Sequence, residues 1–257
     1  MPEPLISAII CTHNRDGYLG KAIDSLLAQD WDHPFEIIVV DNGSTDRTRE
    51  VGEARLSATA NPPLVYRYEP ILGLSVARNT GARIAKAQIL AYLDDDAIAS
   101  PRWLQTLYRA YKDHSDLAIA GGKVTLIWPL DTTVPNWLSD GLASTLGAYD
   151  LGDEFTFITQ PGLTPRGLNY SIRRTFLDGI GGFDTHLGRV GTRLLSNEEL
   201  SMTEQAIKSN WRVAYIPDAL VAHHVAPERI HQTWFLSRSW WQGISECYRE
   251  HLPPSRK

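Results

Sequence analysis

Three short polar stretches, each placed directly after an apolar run, hold the residue types best suited to chemistry: Thr12-His13-Asn14-Arg15, Asp41-Asn42-Gly43-Ser44-Thr45-Asp46 and Asp94-Asp95-Asp96. Consecutive aspartates at the end of a buried run repel one another unless they are solvated or bound to a cation. Hard carboxylate oxygens suit Mg²⁺ or Mn²⁺. On its own such a turn also reads as an ordinary solvated loop. Two further residues favour a metal: Asp41, expected on the same sheet edge, and Arg78, a fixed cation suited to phosphate oxygens. An ion of this kind takes one or two carboxylates and completes its shell with waters and substrate phosphates, so the pattern points to a nucleotide diphosphate.

The elements that must position these residues alternate. Residues 5–11 form a short Ile-rich apolar run, as a buried strand would. Ile23, Leu26 and Leu27 then give the spacing of one helix face, and 35–40 reads as a second strand ending at Asp41. Ser44, Thr45 and Asp46 offer cap chemistry for a helix to about Leu56, followed by a strand over 64–68, a helix over 75–86 and a strand over 89–93. Pro101 fits the first turn of a helix to about Lys112. This alternation predicts an α/β fold with a mostly parallel sheet and helices on both faces. In such sheets ligands bind beyond the carboxyl ends of the strands, where the three polar stretches fall. After Gly121-Gly122 the character changes, and 128–165 reads as a long surface excursion rich in Pro, Gly and Trp. A strand near 168–173, a short helix before Gly181-Gly182-Phe183-Asp184, a helix over 198–209 and a strand over 213–216 give a mixed second half.

Bulk properties narrow the function. A chain of 257 residues, 43% hydrophobic and 21% charged, buries one large core. A net charge of −5 argues against a general nucleic-acid binder, although one nucleotide could be held locally. Cys11 and Cys247 form neither a framework nor a zinc knuckle, which fits a reducing compartment. The first residues lack a basic leader, and the apolar run after them is far short of the roughly 20 residues that span a bilayer. A cytoplasmic protein with no transmembrane segment is therefore expected, with the inner face of the cell membrane as a second location. The stretch 234–248, with Trp240-Trp241, reads either as an amphipathic helix for a membrane surface or partner, or as a helix packed on the domain's own core. The end, 252–257, reads as frayed, and a longer natural chain is compatible with it. No GxGxxG follows the first strand and no GxxxxGK[ST] occurs, which removes a dehydrogenase and a P-loop ATPase.

The polar stretches, together with Leu74-Ser75-Val76-Ala77-Arg78-Asn79-Thr80-Gly81 and Leu93-Asp94-Asp95-Asp96-Ala97 in that order, resemble the inverting family 2 glycosyltransferases, which share the GT-A fold. The likeness extends through Gly181-Gly182-Phe183-Asp184, Asn197-Glu198-Glu199-Leu200 and Trp211 to Asp218, with Glu-Glu where the family usually has Glu-Asp. The resemblance implies a nucleotide-sugar-binding half at 1–120, an acceptor-binding and catalytic half at 121–226 and a C-terminal helical segment at 227–257. It implies Thr12, Asn14, Arg15, Asp41, Arg78, Asp94 and Asp95 around a nucleotide-sugar donor, with UDP favoured over GDP or dTDP. Asp96 and His223 would hold Mn²⁺ or Mg²⁺, with His224 the competing ligand.

Inverting transfer needs a base for the acceptor hydroxyl, and the resemblance assigns Glu199. Glu198-Glu199 could equally complement the positive end of a helix. Asn169 and Glu198 would lie near the donor sugar or the acceptor, although an ordinary strand residue also explains Asn169. Trp128, Trp137 and Trp234 are assigned to the core. The acceptor would be a glycan or lipid-linked glycan, as in polysaccharide assembly. Two rivals remain: a sugar-phosphate nucleotidyltransferase, whose Gly-rich loop is missing, and a non-catalytic nucleotide-sugar-binding module.

Overall fold

The computed structural model describes residues 3–58, 61–191 and 193–251; the expectation for 252–257 lies outside them. Four strands, β1 (Ile6–Thr12), β2 (Phe35–Asp41), β3 (Leu64–Tyr68) and β4 (Ile89–Leu93), run parallel in the order β3-β2-β1-β4. Ile6, Ala8, Ile9 and Ile10 of β1 are fully buried on both faces of the sheet, as the continuous apolar run requires. α1 (Asp16–Leu27), α2 (Thr48–Ala58) and α3 (Leu74–Ile84) connect these strands. In α1 the expected Ile23 and Leu26 are buried with Leu19, and α2 opens with Asp46 Oδ1 accepting from the Thr48 amide at 2.9 Å. Gly81 lets α3 settle on the sheet, because a Cβ there would come within 2.6 Å of Ile9 Cγ2.

Chain direction reverses its lateral progress between β1 and β4, since β2 and β3 lie to one side of β1 and β4 to the other. That switch point leaves a crevice beyond the carboxyl ends of β1 and β4, the place where open α/β sheets receive ligands.

The second half completes the same sheet. β5 (Ala97–Ala99), α4 (Trp103–Asp113) and β6 (Leu117–Ile127) are followed by α5 (Asp140–Thr145), β7 (Thr156–Phe157), β8 (Asn169–Arg173), α6 (Arg174–Ile180), α7 (Glu198–Lys208), β9 (Arg212–His224) and α8 (Gln232–His251). β8 pairs antiparallel with β4 and β6, while β9 runs parallel to β6 and antiparallel to β5 and β7.

Three expectations are corrected here. The change at Gly121-Gly122 is the middle of strand β6: backbone carbonyls of Asn169, Ile216 and Ala219 press so closely on these positions that a side chain would not fit. β9 also runs through Pro217-Asp218 to His224, with its register against β6 shifting between Gly122 and Val124. The start of α4 moves slightly as well, leaving Pro101 ahead of the Arg102 cap.

A smaller apolar cluster of Leu146, Val225 and Phe235 lies apart from the main core, with Trp128, Trp137 and Trp234 packed against it. The irregular 128–165 stretch and the start of α8 thus share a core of their own. The rest of α8 is two-faced: Phe235 and Ser245 are buried, whereas Leu236 and Trp240 are each 72% exposed. No helix among the described residues is long and apolar enough to cross a membrane.

Candidate active site

The crevice at the switch point is a cavity of about 880 Å³. Thr12 and Arg15 enter it from the end of β1, Asp94, Asp95 and Asp96 from the end of β4, His223 from β9, and Glu198 and Glu199 from the first turn of α7.

On one side the aspartates are surrounded by cations. Asp96 Oδ1 lies 3.1 Å from His223 Nε2, and its Oδ2 lies 3.9 Å from both Arg15 Nη2 and Arg229 Nη2; Arg15 Nε is 3.7 Å from Asp95 Oδ1. Burial disfavours the Asp96 carboxylate, yet the His223 hydrogen bond and charge, with Arg229 and Arg15, outweigh it and hold the carboxyl well below the usual range. Burial and the neighbouring Asp96 charge push Asp95 up to about 8, and the same two causes raise Asp94.

Strand alternation separates the two histidines. His223 is buried and lines the cavity, whereas His224 turns away and packs its ring 5.6 Å from that of Tyr18. Asp96 and His223 form a donor set of one hard carboxylate and one imidazole that fits a divalent cation. Among the described residues no cluster of three or more His, Cys, Asp or Glu is assembled for a metal, so further ligands would come from a substrate and water.

The other side is built around Arg78. Its guanidinium is buried, with Nη1 3.1 Å from Glu198 Oε1 and 3.0 Å from Glu199 Oε1, and it lies over the rings of Phe183 and Tyr92 at 5.4 and 5.9 Å. Burial alone would lower the Arg78 pKa, and the Glu199 and Glu198 charges reverse that. Burial, followed by the Glu199 charge, pushes the Glu198 carboxyl up to about 8. Gly167 sits against this pair: a Cβ there would overlap Glu199 Oε1 and crowd Arg78 Nη2.

Not every residue expected at the site reaches the cavity. Asp41 is buried beneath it, its Oδ2 accepting from Tyr66 Oη at 2.6 Å and its Oδ1 from the Ser44 amide at 2.9 Å; Asn42 forms the wall instead. Asn14, at φ 54°, ties two loops together by accepting from the Thr45 amide at 2.7 Å. Asn169 is fully buried, with Oδ1 accepting from Trp103 Nε1 at 2.8 Å and Nδ2 donating to the Ala219 carbonyl at 2.7 Å, so it serves as a strand residue that fixes β8. Arg78 faces the α7 carboxylates rather than the aspartates.

Sequence reading missed His13, Asn42, Arg166, Gly167, Asn197, Arg229 and Arg238, all of which line the cavity. His13 and Asn42 carried a signal, since both stand within the polar tails of β1 and β2, and so did Asn197, which stands in the stretch Asn197-Glu198-Glu199-Leu200; Arg166, Arg229 and Arg238 carried none. Cys11 also lines it, but burial pushes its thiol up to about 12, which removes it as a nucleophile at neutral pH.

Comparison with known proteins gives this geometry a family. Residues 7–163 match the model of glycosyl transferase family 2. The chain is 26% identical over 252 residues to a glucosyl-dolichyl phosphate glucuronosyltransferase of Haloferax volcanii, covering 97% of this chain and 78% of that protein. It is 40% identical over 114 residues to a validoxylamine A glucosyltransferase of Streptomyces hygroscopicus subsp. limoneus, covering 42% of this chain and 24% of that protein. Among solved structures it resembles the mannosyltransferase PcManGT from Pyrobaculum calidifontis in complex with GDP-Man and Mn²⁺, with a TM-score of 0.67, 19% identity and coverage of 99% of this chain and 67% of the other. It also resembles GalNAc-T7 with UDP, GalNAc and Mn²⁺, with a TM-score of 0.69, 16% identity and coverage of 99% and 52%. The fold is that of the GT-A glycosyltransferases, and the chain is a glycosyltransferase belonging to glycosyl transferase family 2.

Proposed function

We propose that the enzyme transfers a sugar from a nucleotide diphosphate sugar, with UDP the favoured carrier, to a hydroxyl of a glycan or lipid-linked glycan with inversion at the anomeric carbon. The observation that carries this reading is one cavity holding a cation-ready Asp96–His223 pair on one side and a carboxylate base candidate, Glu199, on the other. The donor's phosphates face Arg15, Arg229 and the Asp96–His223 pair, and Thr12, Asp94 and Asp95 border the nucleoside and sugar. Asp96 and His223 would hold Mn²⁺ or Mg²⁺, which when bound draws off charge from the departing diphosphate.

Glu199 accepts the proton of the attacking hydroxyl as the new C–O bond forms. The bond from the anomeric carbon to the phosphate oxygen breaks, and its electron pair leaves with the nucleotide diphosphate. Arg78 fixes the Glu199 carboxylate from behind, and Gly167 leaves it room. Solved relatives of the same fold holding Mn²⁺ with GDP-Man or UDP support the metal and the donor class.

The test is a thermal-shift panel of UDP, GDP and dTDP with and without Mn²⁺, because a ligand that binds only the native state raises its apparent stability. A shift with one nucleotide that requires the metal is expected. No shift with any of them on well-folded protein would sink the reading.

A further inference from the structure

Seven buried side-chain polar atoms among the described residues have no hydrogen-bond partner, and five belong to residues lining this cavity: Thr12 Oγ1, His223 Nδ1, Arg166 Nε, Asn197 Nδ2 and Glu198 Oε2. Native proteins leave few such groups unpaired, so a concentration of them marks where a ligand supplies the missing partners. Thr12 and His223 stand on the metal-ready side. The other three stand on the Glu199 side, where no partner has yet been assigned.

The charges on that side are not balanced internally. Arg78 is matched by Glu198 and Glu199, and Arg15 and Arg229 approach Asp95 and Asp96. Among the described residues no carboxylate lies within 4.0 Å of Arg166 or Arg238. The Arg166 guanidinium lies 5.3 Å above the Tyr149 ring, one residue before the Gly167 that touches Glu199. Arg238 reaches in from α8, donating to Ser196 Oγ at 3.2 Å and the Leu194 carbonyl at 3.5 Å. Burial lowers the pKa of both, and for Arg238 the charges of nearby Arg189 and Arg166 add to it; the Glu199 charge acts the other way on both, and that of Glu198 on Arg238, without reversing the direction, so an anion between the two guanidinium groups would offset the cost that remains. Asn197 and Glu198 add one donor and one acceptor. Asn197 is held in place by Gln242 of α8, whose Nε2 donates to its Oδ1 at 2.9 Å and leaves Nδ2 free for a ligand among the described residues.

Deepening the proposed glycosyl transfer, we propose that Arg166 and Arg238 form an acceptor subsite for an anionic group, a phosphate ester or a carboxylate. The group belongs to the same molecule whose hydroxyl Glu199 deprotonates, and Asn197 Nδ2 and Glu198 Oε2 take a neighbouring hydroxyl.

The experiment loads the protein with Mn²⁺ and the nucleoside diphosphate that it binds, then titrates three probes calorimetrically: octyl glucoside, octyl glucuronide and glucosyl octyl phosphate. At least one charged probe should bind about tenfold or more tighter than the neutral one, the scale of a charge-assisted hydrogen bond. Preference for the phosphate ester identifies a lipid-phosphate source, and preference for the glucuronide identifies an acidic sugar. In Arg166→Gln and Arg238→Gln the gap should close while nucleotide binding, which also reports folding, is unchanged.

Equal binding of charged and neutral probes overturns the subsite. So does a gap that survives both substitutions, or a loss of nucleotide affinity in step with the loss of probe affinity, which would hand these arginines to the donor. If no nucleotide binds, the proposed donor reading fails separately, and the same titrations on nucleotide-free protein still decide the subsite.

Discussion

The two sides of the cavity solve the problem of buried charge differently. On the β4 side Asp95 and Asp96 have arginines close by, Arg15 beside both and Arg229 beside Asp96, with His223 hydrogen-bonded to Asp96, so two of the three carboxylates are partnered before any ligand arrives, and Thr12 Oγ1 and His223 Nδ1 are left open. On the α7 side one guanidinium serves two carboxylates, while Arg166, Asn197 and Glu198 keep polar atoms without partners. In the proposed reaction the first side receives a ligand whose charge is the same in every turnover. The second is completed by whatever it accepts. A transferase with a constant leaving group and a specific acceptor needs that division, because electrostatic preorganisation helps most where charge develops.

The contrast can be broken most strongly at Glu199. Glu199→Gln should lower kcat by about 10²- to 10⁴-fold, the range for loss of a general base, and leave the nucleotide-dependent thermal shift unchanged. Loss of both together would mean that the two sides are not separable. Asp96→Ala should reverse the pattern, erasing the metal dependence of donor binding and cutting turnover by roughly 10²- to 10³-fold, as removal of a charge-stabilising group does.

Gly167→Ala probes fit rather than charge. The added methyl displaces the Glu199 carboxylate, and kcat should fall by about 10²-fold with little change in donor KM. Unaltered kinetics would show that Glu199 tolerates the shift.

The smallest effect sharpens the comparison through pH. The Glu198 carboxyl is raised from 4.5 to about 8, so across that window the native state keeps a proton that the unfolded chain has released. This stabilising contribution is complete below the unfolded value and is lost as pH rises through the folded one. The melting temperature of Glu198→Gln should therefore decline less between about pH 5 and 8 than that of the unmodified protein. Parallel curves would remove Glu198 from the α7 charge cluster.

Much of the first half was legible because β1, β2 and β4 are short, mostly apolar runs, and a parallel sheet puts whatever follows such runs on one edge. The same logic put Arg15 and Asp94–Asp96 on one edge, and they line one cavity, whereas Glu198 and Glu199, which line it too, were reached only through the family resemblance. That logic failed where a residue's partner is remote. Asp41 and Asn169 have the same chemistry as ligands, and only the positions of Tyr66 and Trp103 show that their oxygens already accept hydrogen bonds away from the cavity wall.

Strand β6 hid behind Gly121-Gly122, since a glycine pair reads locally as a break, whereas its cause is the approach of another strand's carbonyls. Arg166 and Arg238 belong to no motif at all. They become informative only once the fold shows which carboxylates they lack.

The sheet order also bears on how the chain reaches this state during synthesis. The β3-β2-β1-β4 block is complete once residue 93 has been made, but the outer edge of β4 has its hydrogen-bonding partner only when Asn169–Arg173 arrives. One edge of β6 in turn waits for β8 and the other for β9. A nascent chain therefore carries an open, strongly apolar strand edge while residues 94–168 are being made, the kind of edge that invites pairing with other chains. Yield on expression should consequently depend more on what shelters that edge while the ribosome is still working than on the stability of the finished enzyme.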